Sequence, residues 1–315
     1  MTVAAEATAH RSRRRPRLKR IAHASVPYLL ILPVIVVITA ILGYPLYKLV
    51  TLSFQQYGLA ELIQRKGVWI GFDNFSSVLH DEVFWRVLLR TVIFTAANVA
   101  LTIGLGTLIA FLLVRVSTWV RVLLTAGLVL VWSMPAVVAV QVWIWMTNFE
   151  NGVLNYVLTE LHVGEYAGHD WYGSTFSKLA MVTLLIVWGA IPFIAITVYA
   201  GLAQGPRELV EAAEIDGAGP ARVFRDVTFP ILKPIFLILT SLSIIWDFQV
   251  FQQIWVMLDG RPTSDYYTMA IYAFHQSFQI SEYGLGAAIA VVMVLFMFLA
   301  TLIYLRQMLR TGEVH

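Results

Sequence analysis

Inside one long apolar stretch the chain reads Trp246-Asp247-Phe248-Gln249 and then Gln252-Gln253. A carboxylate only accepts hydrogen bonds, whereas a carboxamide both donates and accepts, so this set can satisfy the hydroxyls of a polyhydroxylated solute. Trp246, Trp188 and Trp143 add flat apolar faces suited to sugar rings. Polar side chains at membrane depth are costly and face a cavity or a partner helix. Asp247, Gln249, Gln252, Gln253, Trp246 and Trp188 are therefore the candidate substrate pathway. The alternative is that the polar groups bond to neighbouring helices or a partner subunit, with the tryptophans as interface anchors.

A second patterned stretch runs from Gly205 to Pro234. Pro206 suits the first position of a helix, Glu208 and Glu211 favour an N-terminal half against the helix dipole, and Leu209, Ala212, Ala213 and Ile215 predict a narrow apolar face. Asp216-Gly217 breaks that helix, because glycine takes the left-handed conformation that ends one, and Gly219-Pro220 begins a second short helix through Val223 and Phe224. Pro230 and Pro234 are expected to end this elbow and start the next apolar helix. Arg222, Arg225, Lys233 and the apolar face would suit an elbow lying on lipid headgroups. The acidic cluster Glu208, Glu211, Glu214 and Asp216 opposes that, since anionic lipid repels it. A protein partner explains the cluster better.

Other chemistry is excluded. The chain has no cysteine, so disulfides, thiolate metal sites and cysteine nucleophiles are ruled out. His10, His23, His80, His162, His169, His275 and His315 show no metal-ligand spacing, and no Ser/His pair suggests a nucleophile. No Gly-x-x-x-x-Gly-Lys-Ser/Thr loop is present to cradle nucleotide phosphates.

The elements that position these residues follow from composition. Of 315 residues 59% are hydrophobic and 13% charged, and mean hydropathy is +0.74, against about a quarter charged in a soluble domain. Crossing ~30 Å of hydrocarbon takes ~20 apolar residues in a helix. Six segments qualify: Val26 to Val50, Val87 to Val114, Val120 to Met146, Leu179 to Ala203, Ile231 to Met257 and Tyr283 to Tyr304. Val26 to Tyr47 is too long for a signal-peptide core, and Gly43-Tyr44-Pro45 is no small-x-small cleavage site, so the first helix is expected to stay uncleaved. Pro135 and Pro192 are expected to kink the third and fourth helices and to open a cavity or hinge there, or only to shape the bundle. At ~1.5 Å per residue, Asp247 lies about 24 Å along the fifth helix from Ile231.

Seven of the 22 basic residues, Arg11, Arg13, Arg14, Arg15, Arg17, Lys19 and Arg20, precede the first apolar segment in one run. They form no stripe for nucleic acid, and that position reads as a topology signal. With the N-terminus inside, Arg115, Arg121, Arg207, Arg222, Arg225, Lys233, Arg306 and Arg310 join them, while the outer loop Asn148 to Ser177 carries Glu150, Glu160, Glu165 and Asp170. Both termini are then cytoplasmic. Tryptophans 69, 85, 143, 145, 171 and 255 fall at the outer side, as in an aromatic belt.

Glu211-Ala212-Ala213, three residues, Gly217, nine residues, then Val227-Thr228-Phe229-Pro230 resembles the EAA loop of ATP-binding-cassette (ABC) importer permeases. Tyr44-Pro45, Gly71-Phe72-Asp73-Asn74-Phe75 and Tyr283-Gly284-Leu285-Gly286-Ala287-Ala288 extend the resemblance to the sugar-permease branch, the maltose and glycerol-phosphate permease type. Leu258-Asp259-Gly260-Arg261-Pro262 departs from that branch's usual Thr-Gly-Gly-Gly-Pro. The resemblance implies an all-α polytopic bundle of the type I ABC importer permease fold: a basic cytoplasmic tail at 1–25, then a transmembrane permease domain at 26–315 with a coupling loop at about 205–234. It implies that Glu211, Ala212, Ala213, Asp216, Gly217 and Pro230 couple the chain to an ATPase dimer, which binds the ATP and magnesium while this chain binds no cofactor and is no enzyme. The other implied partners are a second permease subunit, an extracellular solute-binding protein, membrane lipid, and a sugar of di- or oligosaccharide size as cargo, in a bacterial cell membrane. The competing class is an autonomous secondary transporter or channel in which Asp247 carries a proton or cation.

Overall fold

The computed structural model describes residues 30–260 and 262–312; the basic run at 11–20 and Arg261 lie outside them. The helices are α1 (Leu30–Ser53), α2 (Leu59–Gln64), α3 (Asp73–His80), α4 (Glu82–Arg115), α5 (Thr118–Trp132), α6 (Ala136–Met146), α7 (Val153–Glu160), α8 (Thr175–Gln204), α9 (Arg207–Ile215), α10 (Pro220–Phe248), α11 (Gln252–Met257), α12 (Met269–Phe274) and α13 (Tyr283–Gly312). Two-residue strands β1 (Gln55–Gln56) and β2 (Val68–Trp69) pair antiparallel, Gln55 opposite Trp69. Among the described residues, those up to Thr51 belong to one unit and those from Leu52 onward to a second.

Among the described residues five helices, α1, α4, α8, α10 and α13, are long and apolar enough to cross a membrane, and a sixth span exists if α5 and α6 are joined. That pair corrects the expectation of one continuous third helix. The chain turns by 102° between them, so Pro135 breaks the helix rather than kinking it. Pro135 stands as the N-cap of α6 with an extended ψ of 135°, where its missing N–H removes nothing from the new helix. Pro192, in contrast, is buried inside the continuous α8.

Two other prolines explain two wide turns. α1 opens into a π-turn at Thr39–Gly43, and α10 does so at Phe224–Thr228. A proline lacks the N–H for the carbonyl four residues back and its ring collides with it. For Pro45 that carbonyl is Ile41 and for Pro230 it is Asp226, each at the centre of its π-turn. The widened turn moves the carbonyl aside, so the helix passes through Pro230 and Pro234. The expectation that these prolines separate the elbow from the fifth span is thus corrected: the second arm of the elbow is the start of α10.

Lipid tails are as apolar as leucine, so close packing rather than water exclusion holds spans together. The most extensive helix pairing is α4 on α8. The buried face of α4 carries Thr91, Thr95, Asn98, Thr102, Gly106 and Ala110, small or short polar residues at three- and four-residue spacing that let the backbones approach. At the elbow end Ala110 joins Ile194, Val198, Leu232, Phe236 and Leu239 in one buried cluster. Toward the other end a larger cluster gathers Phe84, Val87, Leu185, Ile254, Met269 and Ile271.

Arg121 fastens the α4–α5 turn. Its Nε donates to Leu113 O at 2.7 Å, its Nη2 donates to Val116 O at 3.0 Å, and its guanidinium lies over the Tyr199 ring at 5.6 Å. These carbonyls lie at the C-terminal end of α4, where they have no helical partners. Replacing Arg121 with leucine is expected to destabilise the chain by about 2 kcal/mol, with lysine restoring only part because it lacks the planar fork. Thermal unfolding of the two variants in detergent checks the order.

The segments that carried the family resemblance have local structural reasons. Asn74 Nδ2 donates to Ser53 O and Gln55 O at 3.0 and 2.9 Å, and Phe54, Phe72 and Phe75 pack as a ring cluster with centroids 5.2–5.9 Å apart. Gly284 lies against the Gln55 carbonyl, where a Cβ would collide with it.

Candidate functional site

The break at Pro135 and the end of α10 create a cavity of about 280 Å3. Trp132 and Met134 from the break, Trp188 and Phe193 from α8, and Trp246 and Asp247 from α10 line it together with Gln253 from α11. Phe193 links two of the indoles: it stacks on Trp132 with centroids 6.0 Å apart and meets Trp246 edge-on at 5.4 Å. Trp188 is braced edge-on by Trp143 at 6.0 Å. Asp247 is 6% exposed and has no ion-pair partner among the described residues.

Of the six residues expected along a substrate pathway, four therefore share one cavity: Trp188, Trp246, Asp247 and Gln253. Gln249 and Gln252 line a more open cavity beside it, with Phe251 and Trp255, and the two cavities share Trp246, Val250 and Gln253. The fifth helix does not run continuously to Met257, which corrects the sequence expectation. It stops at Phe248 with Gln249 as its cap, and α11 restarts at Gln252. No glycine or proline marks this stop. The Val250 carbonyl accepts from Thr268 Oγ1 at 3.3 Å, a tertiary bond in place of a helical one. Trp132, Met134 and Phe193 were not among the expected residues; the signal available was their adjacency to Pro135 and Pro192.

The elbow is built as two helices at a glycine hinge. Pro206 is the N-cap of α9, one position earlier than expected, and Asp216 its C-cap. Gly217 sits at φ +82°, and the amides of Asp216, Gly217 and Ala218 bond back to Ala212, Glu214 and Ala213 at 3.0 Å each. Gly219 caps the next helix and Pro220 takes its first turn. Phe224 pins this arm edge-on against Phe111 of α4, centroids 5.6 Å apart.

At 100° per residue α9 has two faces. Leu209 and Ile215 are 52% and 85% exposed and point outward with Glu208, Ala212 and Asp216. Val210, Glu211 and Glu214 point back and line a cleft of about 460 Å3 with Arg115, Arg121 and Tyr199. The apolar residues expected to form one narrow face thus mostly look away from the bundle, with Ala213 partly covered, and Glu211 looks toward it.

Broken apolar spans around a lined cavity, with a two-part helical elbow joined to the fifth span, define a membrane permease of multi-pass architecture. Residues 102–310 match the family described as binding-protein-dependent transport system inner membrane component. The chain belongs to that family and, within it, to the sugar-importer branch of ABC permeases, a non-enzymatic membrane component. It is 44% identical to the diacetylchitobiose uptake system permease protein DasB of Streptomyces coelicolor, covering 95% of this chain and 91% of that one. It is 33% identical to the sulfoquinovosyl glycerol transport system permease protein SmoG of Agrobacterium fabrum, covering 90% of each. The fold matches a chain in a crystal structure of a bacterial alginate ABC transporter in complex with alginate pentasaccharide-bound periplasmic protein, with TM-score 0.75, 18% identity, and 91% and 94% coverage.

Proposed function

We propose that this chain is one half of the membrane pathway of a binding-protein-dependent ABC importer, carrying a sugar of di- or oligosaccharide size into the cytoplasm. The observation that carries this is the gathering of Trp188, Trp246, Asp247 and Gln253 around one cavity. Indole faces stack on the C–H faces of a pyranose, while Gln253 donates and accepts and Asp247 accepts from hydroxyls. With the basic residues inside, the elbow and both termini are cytoplasmic, and the two cavities form a route from the outer side. A solute-binding protein delivers the sugar there, and a second permease subunit supplies the facing wall.

The outward face of α9, Glu208, Leu209, Ala212, Ile215 and Asp216, docks on the ATPase, which does the nucleotide chemistry. The inward face, Glu211 and Glu214, transmits its movement to Arg115 and Arg121 at the ends of the spans. ATP-driven approach of the ATPases then rocks the helices and turns the cavity inward.

The test is uptake of labelled diacetylchitobiose and of maltose in vesicles holding the transporter complex. Trp246→Ala is expected to lower uptake of the transported sugar by about 10- to 100-fold, through loss of a stacking face. The ATPase should remain bound. A chain purified without any ATPase partner, or uptake at wild-type level in Trp246→Ala, overturns the proposal.

A further inference from the structure

Two neighbouring cavities hold Asp247, three carboxamides and several aromatic rings, and neither is lined by a lysine, arginine or histidine among the described residues. Among those residues Asp247 is the one acidic side chain on the first cavity, buried at the point where α10 ends. A carboxylate or sulfonate on a sugar held there would find no cation among the described residues of this chain and would sit beside the Asp247 carboxyl group. Resting on the proposed sugar site, we infer that Asp247 is a specificity-determining residue that admits neutral and cationic saccharides and rejects anionic ones.

Three features of the geometry give this charge filter its sense. Asp247 has no ion-pair partner among the described residues, so no cation of those residues stands between its carboxyl group and whatever occupies the cavity. The aromatic walls, Trp132, Trp188, Phe193 and Trp246, keep the local dielectric low, which makes an anion without a counter-charge costly to bury there. The same walls present electron-rich faces, which favour C–H groups and cations over anions. Gln249 and Gln252 in the neighbouring cavity and Gln253, shared by both, are neutral and discriminate by hydroxyl pattern instead of by charge.

For like charges a few ångströms apart in a partly polar site, the penalty corresponds to an affinity ratio on the order of 100-fold. The experiment measures direct binding to the assembled transporter in nanodiscs, read by quenching of tryptophan fluorescence. The probes are N,N′-diacetylchitobiose, which is neutral, and the same disaccharide oxidised to a carboxylate at one C6. The wild type is expected to bind the neutral probe ~100-fold more tightly, and Asp247→Asn to bring the ratio to within about threefold. Gln253→Lys, which adds a cation to the same cavity, is expected to shrink the ratio independently. Equal affinities in the wild type, or an Asp247→Asn variant that weakens both probes alike and keeps the ratio, overturn the filter while leaving the sugar site standing. If neither probe binds the wild type and maltose does not bind either, the sugar site itself is refuted and the filter with it.

Discussion

A chain carrying Gly217→Pro is expected to insert and fold its spans yet to lose at least about 100-fold of uptake. Gly217 holds φ +82° and its amide donates to Glu214 O at 3.0 Å. Proline locks φ near −65° and has no N–H, so both the turn and the bond are lost together. The two arms of the elbow would then meet at a different angle. The outward face of α9, with Ile215 and Leu209 exposed, could no longer present the surface that the proposed ATPase contact requires. Because α10 is continuous from Pro220 to Phe248, a displaced elbow would also lose the lever on the fifth span that the proposed coupling requires. Gly217→Ala is expected to be milder, since an alanine at positive φ costs only about 1–2 kcal/mol. Glu211→Lys is expected to uncouple by another route, placing a third cation beside Arg115 and Arg121. Vesicle uptake, ATP hydrolysis by the complex and co-purification of the ATPase separate these outcomes. Wild-type uptake in Gly217→Pro would sink the proposed role of the elbow.

The elbow was legible in the sequence because its punctuation is local. Pro206, Asp216-Gly217 and Gly219-Pro220 act through their own backbone preferences, and the structure has each within one position of its expected part. The positions of the apolar spans were legible too, as hydropathy needs no tertiary information, but the break in the third and the early stop of the fifth were not. The stop after Phe248 depends on Thr268 reaching the Val250 carbonyl from eighteen residues away, which no local pattern encodes. The passage of α10 through Pro230 depends on a π-turn, and the sequence shows only the prolines, which more often end helices. The candidate site fell between these cases. Polar and aromatic residues at membrane depth identified Trp188, Trp246, Asp247 and Gln253, but the other wall, Trp132, Met134 and Phe193, exists only because Pro135 turns the chain by 102°.

The other large effect is expected at Gly286, where the cause is close approach and not backbone conformation. Gly286 lies in the first turn of α13, pressed against the π-turn at His275–Gln279. A Cβ there would come within 2.9 Å of both the Ala273 carbonyl and the Ser277 amide and would collide with the Ser277 hydroxyl. These are backbone atoms of a hairpin whose other arm, α12, puts Met269, Ile271 and Tyr272 into the larger core cluster. The hairpin cannot yield without moving that cluster. Gly286→Leu is therefore expected to cost about 3 kcal/mol and to lower the melting temperature of the detergent-solubilised chain by roughly 5–10 °C. Gly104, also helical, has no atom within 4 Å of where a methyl group would stand, so Gly104→Ala is expected to be neutral or slightly stabilising. The contrast separates packing from helix propensity: both variants remove a helical glycine, and only one has no room for the replacement. A Gly286→Leu chain that melts with the wild type would mean that α13 and the α12 hairpin are not held at this distance. The Tyr283-Gly284-Leu285-Gly286 pattern would then need another explanation.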